Sequence, residues 1–144
     1  MPKKNGEQAL GRSRGGFSCK IHVTVDALGN PLRLLLTAGQ RHDITQAKAL
    51  LEGFDFDQLI ADRGYAAEDF IDYLLQRGIT AVIPPHQRAK LVREFDVWLY
   101  RERHLVECFM NKIKHFRRIF SRFEKLDRSY LGFLHFVSVL VWLR

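Results

Sequence analysis

The sequence predicts a mixed α/β fold: a partly parallel sheet flanked by helices, with an antiparallel hairpin at one edge. Three observations carry that prediction. Apolar and polar residues alternate from Phe17 to Val25, the pattern of a strand with one buried face. Short apolar runs at 59–61 and 79–83 flank a helical segment, as in a βαβ unit of parallel strands. The final third of the chain places apolar residues at helical spacing.

Taken in order, residues 1–16 read as a basic flexible arm, with Lys3, Lys4, Arg12 and Arg14 among small and turn-forming residues. Order is expected from Phe17. Phe17, Cys19, Ile21, Val23 and Val25 then form one face of a strand, and Ser18, Lys20, His22 and Thr24 the other. Asp26 to Pro31 supplies turn chemistry before a second strand, Leu32 to Thr37, so the two make a hairpin with a loop longer than two residues. Asp43 is the expected N-cap of a short helix, Ile44 to Leu51, with Gly53 near its end.

Leu59-Ile60-Ala61 is a buried strand that ends at Asp62. Arg63-Gly64-Tyr65 turns the chain into a helix from about Ala66 to Arg77, closed by Gly78. Ile79 to Ile83 is a further strand, stopped by Pro84-Pro85. After a basic loop, Gln87 to Arg93, one long helix is predicted from Val97 to Lys125, followed by an apolar terminal helix over Tyr130 to Leu143.

With 144 residues the chain is one ordinary domain or part of a larger one, and a hydrophobic fraction of 47% excludes general disorder. The net charge of +7 suits a polyanionic partner, although a solvated basic surface gives the same number. Cys19 and Cys108 lie far apart, which leaves no thiolate metal site or disulfide framework; each reads as a small buried hydrophobe, consistent with a reducing cytosol. The first sixteen residues have no apolar core of a secretory leader. The terminal apolar run is shorter than the roughly 18 residues of a membrane span and is interrupted by His135, so a buried core helix is expected and no membrane partner.

Two places carry candidate chemistry. Asp62 ends a buried strand, where functional groups of α/β sheets collect. It is suited to bind a metal ion, and equally to cap the helix that follows or to pair with Arg63. In the long helix, Tyr100, Arg103, Glu107 and Lys114 follow at intervals of three, four and seven residues and so project from one face. An apolar stripe (Val106, Phe109, Ile113, Phe116, Phe120) runs beside them, which predicts that Glu107 is partly shielded and directed towards the sheet. Lys112, Arg117, Arg118, Arg122 and Lys125 place positive charge on the remaining surface. The ordinary alternative for Arg103 and Glu107 is an exposed ion pair worth a few tenths of a kcal/mol.

Tyr100-x2-Arg103-x3-Glu107-x6-Lys114 resembles the Tyr-Arg-Glu-Lys signature of bacterial insertion-sequence transposases with an Asp-Asp-Glu triad. Asp62-Arg63-Gly64-Tyr65 resembles that family's second-aspartate motif. The segments Gly15 to His22, Gly39 to Asp43 and Val141 to Arg144 are similar as well, so the likeness runs from about Gly11 to Arg144.

The resemblance implies a ribonuclease-H-like mixed sheet flanked by helices, here over residues 17–144, and a two-metal site for Mg2+ or Mn2+ built from carboxylates. It makes Asp62 the second aspartate and Glu107 the glutamate, both metal ligands. It places Tyr100, Arg103 and Lys114 on the DNA backbone. The implied reaction is phosphodiester hydrolysis and strand transfer at element ends. The implied partners are double-stranded DNA of ends and target and further copies in a synaptic complex, in the cytoplasm at the nucleoid.

That fold has three antiparallel strands before its first helix, with the first aspartate on the first, central strand. This sequence shows two strands there, and Asp26 falls in the turn between them, where it reads as a turn former. The central strand and its aspartate are therefore expected upstream, in an upstream-frame segment of the same transposase joined by frameshifting, unless the chain is a truncated copy. An isolated chain with unpaired strand edges is expected to self-associate.

Two other functions stay open: a catalytically incomplete DNA-binding or inhibitory fragment, and a basic α/β module that binds RNA or protein without chemistry. His22, His42 and His104 are read as structural or DNA-proximal, and Trp98 and Trp142 as packing anchors rather than base-stacking platforms, with a DNA contact left open for Trp98, which follows the basic loop.

Overall fold

The computed structural model describes residues 8–13, 16–89 and 92–144. Expectations for Lys3, Lys4, Arg14 and the side chains of Arg12 and Phe17 lie outside the described residues, as do residues 90 and 91 of the basic loop. In chain order the elements are β1 (Gly11–Ser13), β2 (Gly16–Val25), β3 (Pro31–Ala38), α1 (Ala47–Leu51), β4 (Gln58–Ile60), α2 (Glu68–Gln76), β5 (Thr80–Val82), α3 (Val97–Tyr100), α4 (His104–Lys114), α5 (Arg117–Phe120) and α6 (Asp127–Trp142). Short 3-10 turns precede α1 (Asp43–Gln46), follow Asp62 (Arg63–Tyr65) and join α3 to α4 (Arg101–Arg103). The fold is mixed α/β, divided into two compact units: one of residues 1–41 and 106–144, the other of residues 42–105.

The first unit holds an antiparallel sheet in the order β1-β2-β3. β2 and β3 pair as the predicted hairpin, with Ile21 opposite Leu36 and Val23 opposite Leu34, and the register shifts between Thr24 and Val25. The loop between them is built on Asp26. Its carboxylate accepts from the backbone N–H groups of Leu28 (2.8 Å) and Asn30 (2.9 Å) and from the Asn30 side chain (3.1 Å). Burial raises the Asp26 pKa, and the bonds from Asn30, Leu28 and Gly29 outweigh it, so the carboxyl sits below its ordinary value.

Order begins earlier than Phe17. Gly11–Ser13 pairs with the start of β2. Arg122 donates to the carbonyl oxygens of Gln8 (3.0 Å) and Ala9 (3.5 Å), and the Gln8 side-chain oxygen accepts from the N–H of Asp127 at 3.0 Å. That last bond satisfies an N–H at the start of α6, where no cap side chain does so. The described part of the expected arm is thus held by backbone bonding that composition does not reveal.

The core of this unit joins Leu34, Phe109, Ile113, Ile119, Tyr130, Leu134 and Val137, with Ile21, Val23, Val25 and Leu36 packed against it. The opposite face of the hairpin is covered as well. His22 is buried and hydrogen-bonds the Thr37 hydroxyl at 2.7 Å, between diagonal neighbours across the strands.

The single helix expected from Val97 to Lys125 is broken. After α4 the chain extends at Phe116 (φ −83°, ψ 112°), α5 lasts four residues, and Ser121 is extended again. A continuous helix would set Lys114 three and four residues from Arg117 and Arg118, and Arg118 four from Arg122, all like-charge repulsions. The break also brings Ile119 into the core, where its carbonyl accepts from the Tyr130 hydroxyl at 2.8 Å. Phe120, expected on the buried stripe, is 73% exposed instead. Both cysteines depart from the expected burial: Cys19 is half-buried and Cys108 exposed, because Cys108 lies off the Phe109–Ile113 face of α4.

The second unit carries the βαβ arrangement. β4 and β5 pair in parallel, with Leu59 opposite Ala81, and α2 crosses between them. Its core joins Ala47, Leu51, Phe70, Leu74, Ile79 and Ile83. Among the described residues the strands form two small sheets rather than one mixed sheet. The reason is local: a hairpin pairs β2 with β3, a helical crossover pairs β4 with β5, and no described strand bonds to both.

Candidate functional site

Asp62 lies just past the C-terminal end of β4, where the chain leaves the sheet. It adopts an extended conformation (φ −76°, ψ 173°) and caps the 3-10 turn Arg63–Tyr65, its Oδ1 accepting from the Gly64 N–H at 2.8 Å. Oδ2 has no hydrogen-bond partner among the described residues. Asp62 thus caps the 3-10 turn at Arg63 and not the helix expected from about Ala66, whose N-cap position is Ala67, and the capping occupies one oxygen. The alternative pairing with Arg63 is absent: that guanidinium makes no ion pair among the described residues.

The second unit contains a pocket lined by Asp43, Asp62, Arg63, Gly64, Pro84, Phe95, Tyr100 and Arg103. Three residues predicted from sequence, Asp62, Tyr100 and Arg103, thus meet on one surface. They come from the β4 terminus, the end of α3 and the turn that follows it. Asp96 fixes the start of α3: its Oδ1 accepts from the N–H groups of Trp98 and Leu99, both at 2.9 Å, and the Tyr100 N–H bonds the Asp96 carbonyl at 2.9 Å. The Arg103 guanidinium lies 5.9 Å from the centre of the Tyr100 ring, a cation–π contact.

The pocket mixes two acids with two arginines. Its electrostatics register on Tyr65, whose hydroxyl pKa is pushed up to about 12, by burial first and then by the charges of Asp43 and Asp62. Both carboxylates therefore act on the same half-buried group. Asp43 is not the N-cap expected from sequence. His42 takes that position with extended backbone, and Asp43 is the first residue of the 3-10 turn.

Glu107 and Lys114 belong to the first unit, and both are exposed on α4. The shielding expected for Glu107 is not found. The buried line of α4 runs through Phe109 and Ile113, and Val106, which would screen Glu107, is itself only half-buried. Among the described residues no three His, Cys, Asp or Glu side chains are grouped so as to hold a metal ion. The donor chemistry nevertheless suits Mg2+ or Mn2+, because carboxylate oxygens are the hard ligands these ions take, and Asp62 keeps one oxygen without a hydrogen-bond partner.

The remaining candidates take separate places in the structure. His22 is a core histidine, and the His104 ring bonds the Arg101 carbonyl at 2.9 Å. Trp98 is no packing anchor: it is 73% exposed, with the Arg101 guanidinium 4.2 Å from its ring centre. Trp142 is partly an anchor, donating Nε1–H to the Pro31 carbonyl at 2.9 Å. No helix among the described residues is long and apolar enough to cross a membrane.

Sequence reasoning did not assign five of the pocket residues to the site: Asp43, Arg63, Gly64, Pro84 and Phe95. Phe95 had a legible signal. An apolar residue just before a capping Asp and another four residues after it form the spacing of a hydrophobic staple. Asp43 stood at the end of the family-like segment Gly39 to Asp43 but was read only as a helix cap, and Pro84 had no signal, since the tertiary fold brings it to the pocket.

Comparison with known proteins adds to this geometry. Residues 2–142 match a family described as the transposase DDE domain. A protein of Brucella ovis named as a transposase for insertion sequence element IS6501 is 39% identical over 130 residues, spanning 89% of this chain and 100% of its own length. A Burkholderia cepacia protein named as a transposase for IS402 is 32% identical over 150 residues, spanning 96% of this chain and 68% of its own length. No solved structure gives a significant match.

Proposed function

This chain belongs to the DDE-domain transposase family, and on that premise we propose that it is the catalytic region of a DNA transposase, acting on phosphodiesters at insertion-sequence ends through a ribonuclease-H-like catalytic domain. The observation that carries this reading is the pocket itself. It gathers Asp62, Tyr100 and Arg103, three members of the two signature motifs, from separate stretches of the chain.

In this reading Asp62 and Glu107 hold divalent cations, Mg2+ or Mn2+, together with a further carboxylate. When bound, such ions offset charge on the attacking and leaving oxygens of an in-line displacement. The chain's own residues do the rest. The Gly64 N–H holds the Asp62 carboxylate by one oxygen and leaves the other available to a ligand. Arg103 and Arg63 offer planar, permanently charged donors to non-bridging phosphate oxygens, and Tyr100 offers a hydroxyl. Lys114, exposed on α4, adds a point charge for the DNA backbone.

A second reading keeps DNA binding and loses turnover. It is favoured by the absence of any three grouped metal-capable side chains among the described residues. Strand cleavage of a duplex carrying the element end, followed with Mg2+ and with EDTA, separates the two. The catalytic reading expects Mg2+-dependent cleavage that E107A and D62N each reduce by more than the ~10–100-fold typical of losing an outer-shell partner. DNA binding without cleavage, or cleavage that E107A leaves intact, sinks it.

A further inference from the structure

Phe95 is assigned no role in the reading above, yet it lines the pocket and is half-buried. Its ring meets Tyr100 edge-on, with centroids 5.5 Å apart and planes at 84°. This is the geometry in which the positive edge of one ring faces the negative face of the other. Phe95 immediately precedes the capping Asp96, and Tyr100 is the fourth residue of the helix, so the pair is a hydrophobic staple. A staple ordinarily fixes the angle at which a chain enters its helix. Here the stapled ring is also the one the Arg103 guanidinium rests on, 5.9 Å from its centre.

We propose that Phe95 is a positioning residue: the staple holds the Tyr100 ring, and through it the Arg103 guanidinium, in the orientation that receives a DNA phosphate at the pocket. The physical reason is conformational. A tyrosine at the end of a four-residue helix has alternative χ1 rotamers open to it, and an arginine carries still more freedom. The edge contact selects one orientation of the ring, and the ring selects one side for the guanidinium. Less order then remains to be imposed when DNA binds. The proposal rests on the reading that Tyr100 contacts DNA.

The test is a double-mutant cycle on the full chain. Affinity for a fluorescein-labelled mixed-sequence DNA duplex is measured by anisotropy for the parent, F95L, Y100A and the double variant, with F95W as the conservative replacement. Thermal melting is recorded for each. F95L is expected to weaken binding by roughly 2- to 10-fold, the range of an aromatic pair contribution. F95W restores it, and F95L has no further effect once Tyr100 is gone.

If F95L weakens binding by the same factor in both backgrounds, Phe95 acts only through general stability and the proposal falls alone. If F95L leaves the parent's affinity unchanged, it falls as well. If Y100A binds like the parent, the reading of Tyr100 fails first and takes the proposal with it.

Discussion

Gly64 shows how closely the pocket is built at the level of single residues. A Cβ at this position would meet Asp62 Oδ1 at 2.9 Å, the oxygen that its own N–H already holds at 2.8 Å. Any side chain must therefore move the carboxylate. Gly64→Ala removes no charge and no donor, and its backbone conformation is open to alanine. It is expected to weaken Mn2+ binding by ~10–100-fold, as for loss of an outer-shell partner, with the melting temperature little changed. Calorimetric titration checks it, and Mn2+ affinity equal to the parent's would show that the Asp62 orientation does not matter. Asp62 itself was legible as a strand-end carboxylate. Its capping of the 3-10 turn was legible only in outline, because the turn begins directly at Arg63 and not at a helix near Ala66.

At the scale of elements, the sequence signals worked where they were local and failed where they depended on packing. Gly78 is an example of the first kind. It closes α2 with φ +72°, while its N–H bonds the Leu75 carbonyl and the N–H of Ile79 bonds that of Leu74, both at 2.9 Å. These are the two bonds of a Schellman motif, and Leu74 and Ile79 share the core beneath it. Gly78→Ala places a Cβ in the left-handed region at a cost of about 1–2 kcal/mol. A urea midpoint equal to the parent's would contradict this.

The helix predicted from Val97 to Lys125 is an example of the second kind. Its apolar spacing continues to Phe120, but like charges at Lys114, Arg117, Arg118 and Arg122 oppose one continuous helix. Burial of Ile119 in place of Phe120 then decides the break.

For the whole molecule, each unit has a tyrosine tied to its integrity. Tyr65 in one and Tyr130 in the other both have hydroxyl pKa values raised to about 12, burial being the largest cause in each case. A folded-state pKa above the unfolded value of 10.0 stabilises the fold fully below pH 10. That contribution is lost as pH rises towards 12, since the unfolded chain releases these protons more readily. Melting temperatures should thus fall between pH 10 and pH 12. Tyr65→Phe, which has no proton to lose there, should shrink the fall, and an unchanged profile in that variant would refute the assignment to Tyr65.

The hairpin, the βαβ order, the glycine-closed helix ends and the two motifs around Asp62 and Glu107 were legible in the sequence. All of these depend on neighbours within a few residues, where spacing and backbone preference act directly. Tertiary structure decided that Asp43, Asp62 and Pro84 join Phe95, Tyr100 and Arg103 at one pocket. It also decided that Gln8 and Ala9 are anchored by Arg122, and that Glu107 and Cys108 stand exposed. These outcomes turn on which residues far apart in sequence share a surface. That is settled by burying the cores around Leu34 and Phe70, and periodicity along the chain carries no record of it.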